Sequence, residues 1–146
     1  MKASIAFLLW ATLLPQSGNQ AGIEYRVVVS EESPLTSVSR RDLAKIFLRK
    51  TSRWQDGREA VPVDQSARSM VRVAFTRGVL RVEGLGQISA VEAYWQQQLY
   101  SGRNTPPPVK ADDSEVVAFV AANAGAVGYV RSEVPLQGVK PIPVLD

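Results

Sequence analysis

The sequence predicts a mixed α/β domain, a small sheet flanked by helices. Two kinds of hydrophobic spacing support this fold class. Apolar side chains recur at every second residue from Ile23 to Val29, which is typical of a half-buried strand. From Val61 to Leu80 a short β-branched segment leads through a polar turn into apolar residues at helical spacing. Further patterns extend the predicted order to β-α-β-α-α-α-β-β.

The first 21 residues predict a secretory signal peptide. Lys2 supplies a positive start, an apolar run covers Ile5 to Leu14, and a polar segment ends at the small residue Ala21. The apolar run is too short to cross a bilayer as a helix. We therefore expect residues 1–21 to be removed on export and residues 22–146 to form one folded domain. The cleavage bond itself stays open.

The composition excludes several classes of chemistry. The chain has no cysteine and no histidine, so disulfides, Cys/His zinc sites and histidine-based catalytic triads are excluded. No pair of acidic residues stands in a catalytic motif. We expect a protein that is not an enzyme and that needs no cofactor or metal.

The basic residues are unevenly distributed. The net charge is +3, but Arg40 to Arg81 holds eleven Lys/Arg against four Asp/Glu, and the balance is negative from residue 82 onward. An anionic small molecule, an acidic protein surface or nucleic acid could use such a basic half. A solvated positive face is the alternative interpretation.

Capping signals predict where three helices begin. Ser39 with Asp42 and Ser89 with Glu92 match a capping box, and Asp112 or Asp113 begins a later helix. The residues expected to face the core from these helices are Leu43, Ile46, Phe47, Val91, Trp95, Leu99, Val116, Val117 and Val120. Short strands are expected at 127–130 and 139–144.

The strand, turn and helix from Val61 to Leu80 form the candidate binding element. Ser66 is expected to begin the helix. Its apolar stripe is Ala67, Met70, Val71, Ala74, Phe75 and Gly78, with Arg68 and Arg72 on the opposite side. Free N–H groups at a helix start attract anions. The candidate ligands are Ser66, Arg68 and Arg72, supported by Gln65 and Ser69; alternatively, Ser66 is an ordinary N-cap and the arginines are solvated.

Five motifs in this order resemble the substrate-binding proteins of phosphate-type ABC transporters, and more closely the small, exported, single-lobe proteins often named after them. They are Leu43–Lys50 followed by Trp54 and Asp56-Gly57; Val61–Gln65 before a helix containing Phe75; Tyr94-Trp95; Ser101-Gly102 with Pro106-Pro107; and Gly125–Val130. The resemblance implies a single lobe of a type II periplasmic-binding-protein-like fold. It also implies that Trp54, Tyr94, Trp95 and Tyr129 are core aromatics.

The resemblance implies binding of phosphate or a similar oxyanion, for ABC-type uptake or sensing in the periplasm beside an inner-membrane transporter or sensor. Two-lobed family members hold the anion between their lobes, whereas this chain looks like the second lobe only. The turn Asp64–Ser69 also departs from the family loop Arg-x-x-Gly-Ser-Gly-Thr. The alternative is an interaction module that kept the fold and lost the ligand, with a membrane protein or a second copy as partner. We expect no nucleic-acid partner, and a homo-oligomer stays open.

Overall fold

The structure is a computed structural model that describes residues 22–146. The predicted signal peptide, residues 1–21, lies outside the described residues. The strands are β1 (Tyr25–Ser30), β2 (Val38–Ser39), β3 (Val61–Pro62), β4 (Asp64–Gln65), β5 (Val109–Lys110), β6 (Ala126–Arg131), β7 (Val139–Ile142) and β8 (Val144–Leu145). The helices are α1 (Arg40–Phe47), α2 (Met70–Val79), α3 (Ile88–Tyr100) and α4 (Asp113–Ala122), and a 3₁₀ turn, Leu80–Glu83, follows α2.

A four-stranded mixed sheet in the order β3-β6-β1-β7 forms the centre of the domain. Strand β1 is antiparallel to both β6 and β7, so that Val27 lies opposite Tyr129 on one side and Ile142 on the other. Strand β3 runs parallel to β6. Two smaller parallel pairs, β2 with β8 and β4 with β5, lie beside it. The predicted small mixed sheet flanked by helices is confirmed.

Helices cover both faces of this sheet. Val27 and Val29 of β1 pack with buried residues of α1, α2 and α3 in one hydrophobic cluster. The intervening Val28 packs with Val116 and Val120 of α4 in a second cluster. Because α4 covers the second face, β1 is not the half-buried strand that its alternation predicts, and its last four residues are all buried.

The first and last predicted helix starts are confirmed. The Ser39 hydroxyl accepts a hydrogen bond from the Asp42 N–H at 3.1 Å, and the Asp112 carboxylate accepts one from the Glu115 N–H at 2.9 Å. Such caps satisfy backbone donors that the first turn of a helix leaves free. The apolar faces predicted for α1 and α4 are buried as well.

Helix α3 begins earlier than predicted and exposes more of its end. Its N-cap is Gln87, which makes no side-chain capping bond, and Ser89 lies inside the first turn. Val91 and Trp95 are buried as expected, but Leu99 is 53% exposed, so its assignment to the core is wrong. Only the first part of α3 lies over the core, and its last turn extends beyond it.

Helix α2 begins at Met70, and its cap lies three residues later than predicted. Its N-cap is Ser69, whose hydroxyl accepts from the Arg72 N–H at 3.4 Å. The expected cap, Ser66, instead accepts from the Arg68 N–H inside the preceding turn at 3.3 Å. The buried face of α2 comprises Val71, Arg72, Phe75, Thr76 and Val79. Met70 is therefore wrongly placed in the apolar stripe, and Arg72 is wrongly placed on the solvated side.

Candidate functional site

Strand β4 carries Asp64 into the protein interior, directly before the turn that leads into α2. The side chain of Asp64 is buried, and its Oδ1 accepts hydrogen bonds from the Tyr129 hydroxyl and from the Gln65 N–H at 3.0 Å. The Arg72 Nε lies 3.5 Å from the same oxygen. Buried carboxylates need such partners because burial removes their hydration. Asp64 thus provides the counter-charge for the buried guanidinium of Arg72.

The side-chain amide of Gln65 links the turn to the sheet. Its nitrogen donates to the Tyr129 carbonyl and to Asp113 Oδ1, each at 2.8 Å. Its oxygen accepts from the Ser69 hydroxyl at 3.1 Å, and its backbone carbonyl accepts from Arg72 Nη1 at 2.8 Å. Both hydrogens and the oxygen of the amide are therefore engaged within the protein. We name Asp64, Gln65, Ser69, Arg72 and Tyr129 the β4–α2 network.

Burial shifts the ionisation of two members of this network. It raises the pKa of the Asp64 carboxyl above its ordinary value, although the neighbouring Arg72 guanidinium and the Tyr129 hydroxyl act in the opposite direction. Burial, reinforced by the charge of Asp64, raises the pKa of Tyr129 well above its ordinary value. Tyr129 therefore stays a hydrogen-bond donor to Asp64 at neutral pH. Its ring stacks on Phe75, with centroids 4.0 Å apart.

The outward side of the same turn carries groups that form fewer hydrogen bonds and ion pairs with the rest of the protein. Ser66 is half-buried and Arg68 is exposed, and Arg68 forms no ion pair within residues 22–146. In that same part of the chain, the N–H groups of Met70 and Val71 make no hydrogen bond to a backbone or side-chain acceptor. These two N–H groups belong to the first turn of α2, where a helix presents positive partial charge.

The five predicted site residues thus divide into two groups. Gln65, Ser69 and Arg72 come together in the β4–α2 network. Ser66 and Arg68 lie on the exposed turn outside it. Ser69, the serine that begins the helix, has Arg68 and Met70 as neighbours, so neither flanking position holds a glycine.

Sequence reasoning missed the roles of Asp64 and Tyr129. The sequence analysis gives Asp64 no role in the site, and it places Tyr129 only among the core aromatics. A signal was available for Tyr129, because a tyrosine inside a buried apolar strand needs a partner for its hydroxyl. No local signal identifies Asp113 as a partner of Gln65, since their meeting depends on the parallel pairing of β4 with β5.

In residues 22–146 no cluster of three or more acidic side chains is placed to hold a metal ion. None of the described helices is long and apolar enough to cross a membrane.

Comparison with known proteins finds likeness in structure only. No protein-family model and no curated protein matches the sequence. Among solved structures, an ABC-type phosphate transport receptor from Vibrio cholerae matches 81% of this chain and 44% of its own length, at 19% identity and a TM-score of 0.59. A putative phosphate ABC transporter substrate-binding protein with bound phosphate, from Clostridium perfringens, matches 82% of this chain and 44% of its own length, at 14% identity and a TM-score of 0.62.

A third structure, PstS from Borrelia burgdorferi, matches 82% of this chain and 46% of its own length, at 14% identity and a TM-score of 0.61. The chain therefore spans less than half the length of these neighbours. Likeness at such low identity establishes the fold. The protein has a mixed α/β fold of the periplasmic-binding-protein-like type, as a single lobe, which is the fold class that the sequence predicts.

Proposed function

We propose that this protein reversibly binds a small oxyanion, phosphate or a close relative, at the turn from Asp64 to Ser69. The observation that carries the proposal is the junction of β4 with α2. There the N–H groups of Met70 and Val71 have no acceptor within the described chain, and Arg68 is exposed beside them. Helix-start N–H groups with an arginine recognise the charge and the acceptor oxygens of an oxyanion.

The remaining predicted residues hold this junction in shape. The charge of Arg72 is balanced by Asp64, and the Gln65 amide is fully engaged. Arg68 is consequently the cation of the predicted set that is left for a ligand, with the Ser66 hydroxyl as a further donor. We infer that Gln65, Ser69 and Arg72 position the turn, and that Ser66 and Arg68 contact the anion.

The role that fits this binding is solute capture for uptake or sensing in the periplasm, in partnership with an inner-membrane ABC-type transporter or sensor. The support comes from the fold neighbours, which are described as phosphate transport or phosphate-binding proteins. The signal peptide predicted at residues 1–21 agrees with such a location. Nothing in the comparisons favours an interaction module that has lost its ligand.

Calorimetric titration of the mature protein with phosphate and with sulfate, at constant ionic strength, tests the proposal. We expect phosphate binding that weakens about tenfold in Arg68→Gln, since one charge-assisted hydrogen bond is lost. Arg77→Gln is the matched control, because Arg77 is an exposed arginine of α2 away from the turn. Absence of heat up to about 10 mM phosphate, or an equal loss in both variants, would refute the proposal.

A further inference from the structure

A second feature lies at the other end of α2. A groove of about 700 Å³ lies between α2, from Val73 onward, with its 3₁₀ turn, and the first turn of α3. Val73, Ile88 and Ala90 give it an apolar lining, and Arg77 and Arg81 add two guanidinium groups. No acidic side chain lines the groove. It shares no lining residue with the turn from Asp64 to Ser69.

Both arginines of this α2–α3 groove are available to a partner. Arg77 and Arg81 are exposed, and within residues 22–146 neither forms an ion pair. By contrast, Arg40, Lys50 and Arg58 are each paired with a carboxylate. The positive charge at the groove is therefore not neutralised by the protein's own acidic residues.

The apolar surface continues along α2 beyond the groove. Met70 is 59% exposed, and it precedes Val73 by three residues and Arg77 by seven, so all three side chains share one helix face. At 1.5 Å per residue, this face is about 10 Å long, which matches two turns of a second helix. A small anion would cover little of it, whereas an amphipathic helix would cover both the apolar and the cationic parts.

We propose that the α2–α3 groove is a docking site for an acidic amphipathic helix of a partner protein. The apolar residues of that helix would pack on Val73 and Ile88, and its carboxylates would pair with Arg77 and Arg81. Charge complementarity of this kind steers association and fixes orientation. Binding of an amphipathic helix in a groove is a common mode of recognition between proteins.

The test uses the mature protein and a fluorescein-labelled synthetic helix with leucine on one face and glutamate on the other, followed by fluorescence anisotropy. We expect binding that weakens about tenfold in the double variant Arg77→Glu/Arg81→Glu. Ala90→Glu should weaken it similarly, because it adds a carboxylate to the groove at the start of α3, where the helix tolerates negative charge. The matched control, Arg41→Glu/Arg103→Glu, changes the net charge equally at exposed sites outside the groove and should bind normally.

Three results would overturn the proposal. The first is no binding of the peptide at about 1 mM protein. The second is equal binding of a scrambled peptide, or equal weakening in the control variant, either of which would indicate net charge alone. The third comes from size-exclusion chromatography without peptide: a dimer abolished by Arg77→Glu/Arg81→Glu would assign the groove to a second copy of the chain.

Discussion

Removing Arg72 should destabilise the protein chiefly by leaving Asp64 buried without its counter-charge. The side chains of Arg72 and Asp64 are 10% and 11% exposed, so solvent can replace little of the lost interaction. Breaking a buried ion pair at one partner typically costs about 3–5 kcal/mol. The distance of 3.5 Å from Arg72 Nε to Asp64 Oδ1 is long for a hydrogen bond. We therefore expect Arg72→Met to lower the free energy of unfolding by about 3 kcal/mol, the lower end of this range.

The loss of unfolding free energy in Arg72→Met should be larger at neutral pH than at acid pH. Burial raises the pKa of Asp64 in the folded state, so the folded protein favours the neutral acid more than the unfolded chain does. The stabilisation that comes from protonating Asp64 is complete below its unfolded pKa, and it is lost as pH rises through the folded pKa. Without Arg72 the folded pKa rises further, so the loss in Arg72→Met should be largest at neutral pH and should shrink toward acid pH.

Urea unfolding of the wild type and Arg72→Met between about pH 4 and pH 8 measures this dependence. In the double variant Asp64→Asn/Arg72→Met no buried charge remains, so most of the lost stability should return at neutral pH. A residual loss of about 1 kcal/mol is expected, because Arg72 Nη1 also donates to the Gln65 carbonyl. A loss in Arg72→Met that is independent of pH, or a double variant as unstable as the single one, would refute the argument.

Two further predictions test the fold around the site. Ser69→Ala should cost about 1–2 kcal/mol of unfolding free energy, because it removes both the cap of α2 and the hydrogen bond to the Gln65 amide oxygen. Ser66→Ala should cost about half as much or less, and equal losses in denaturant titrations would contradict the assignment of the cap to Ser69. Gly128→Ala should cost about 1–3 kcal/mol, since a Cβ there would lie 2.6 Å from Val116 Cγ1 and 2.9 Å from Val63 Cγ1, and an unchanged melting temperature would show that α4 packs less closely on β6.

The sequence predicts the fold class well because apolar spacing reports which face of an element is buried. The buried faces of α1 and α4 follow from that spacing, and their starts follow from their polar caps. The start of α2 does not, because Ser66 and Ser69 are both acceptable caps by residue type. What distinguishes them is Gln65, whose amide accepts from the Ser69 hydroxyl and whose position is fixed by β6. Only tertiary structure provides that contact.

The interior position of Arg72 shows the same limit at the candidate site. An arginine is expected on the solvated side of a helix unless a buried partner is known. The sequence places Asp64 eight residues earlier, but whether the two side chains meet depends on the sharp turn between β4 and α2. Ser66 and Arg68 show this limit as well, because the apolar spacing places them at the start of the helix, whereas both lie in the turn before it.

The single lobe also sets how strongly an oxyanion should bind. If a closed two-lobed site held the anion at about 1 μM, half of its binding free energy would correspond to about 1 mM. An open surface also leaves the bound anion in contact with water, where each charged hydrogen bond contributes less. Tight binding would then require a second surface over the turn from Asp64 to Ser69. A partner docked in the α2–α3 groove would lie against α2, whose first turn carries the proposed anion site, so phosphate affinity should be measured with and without the docked helix.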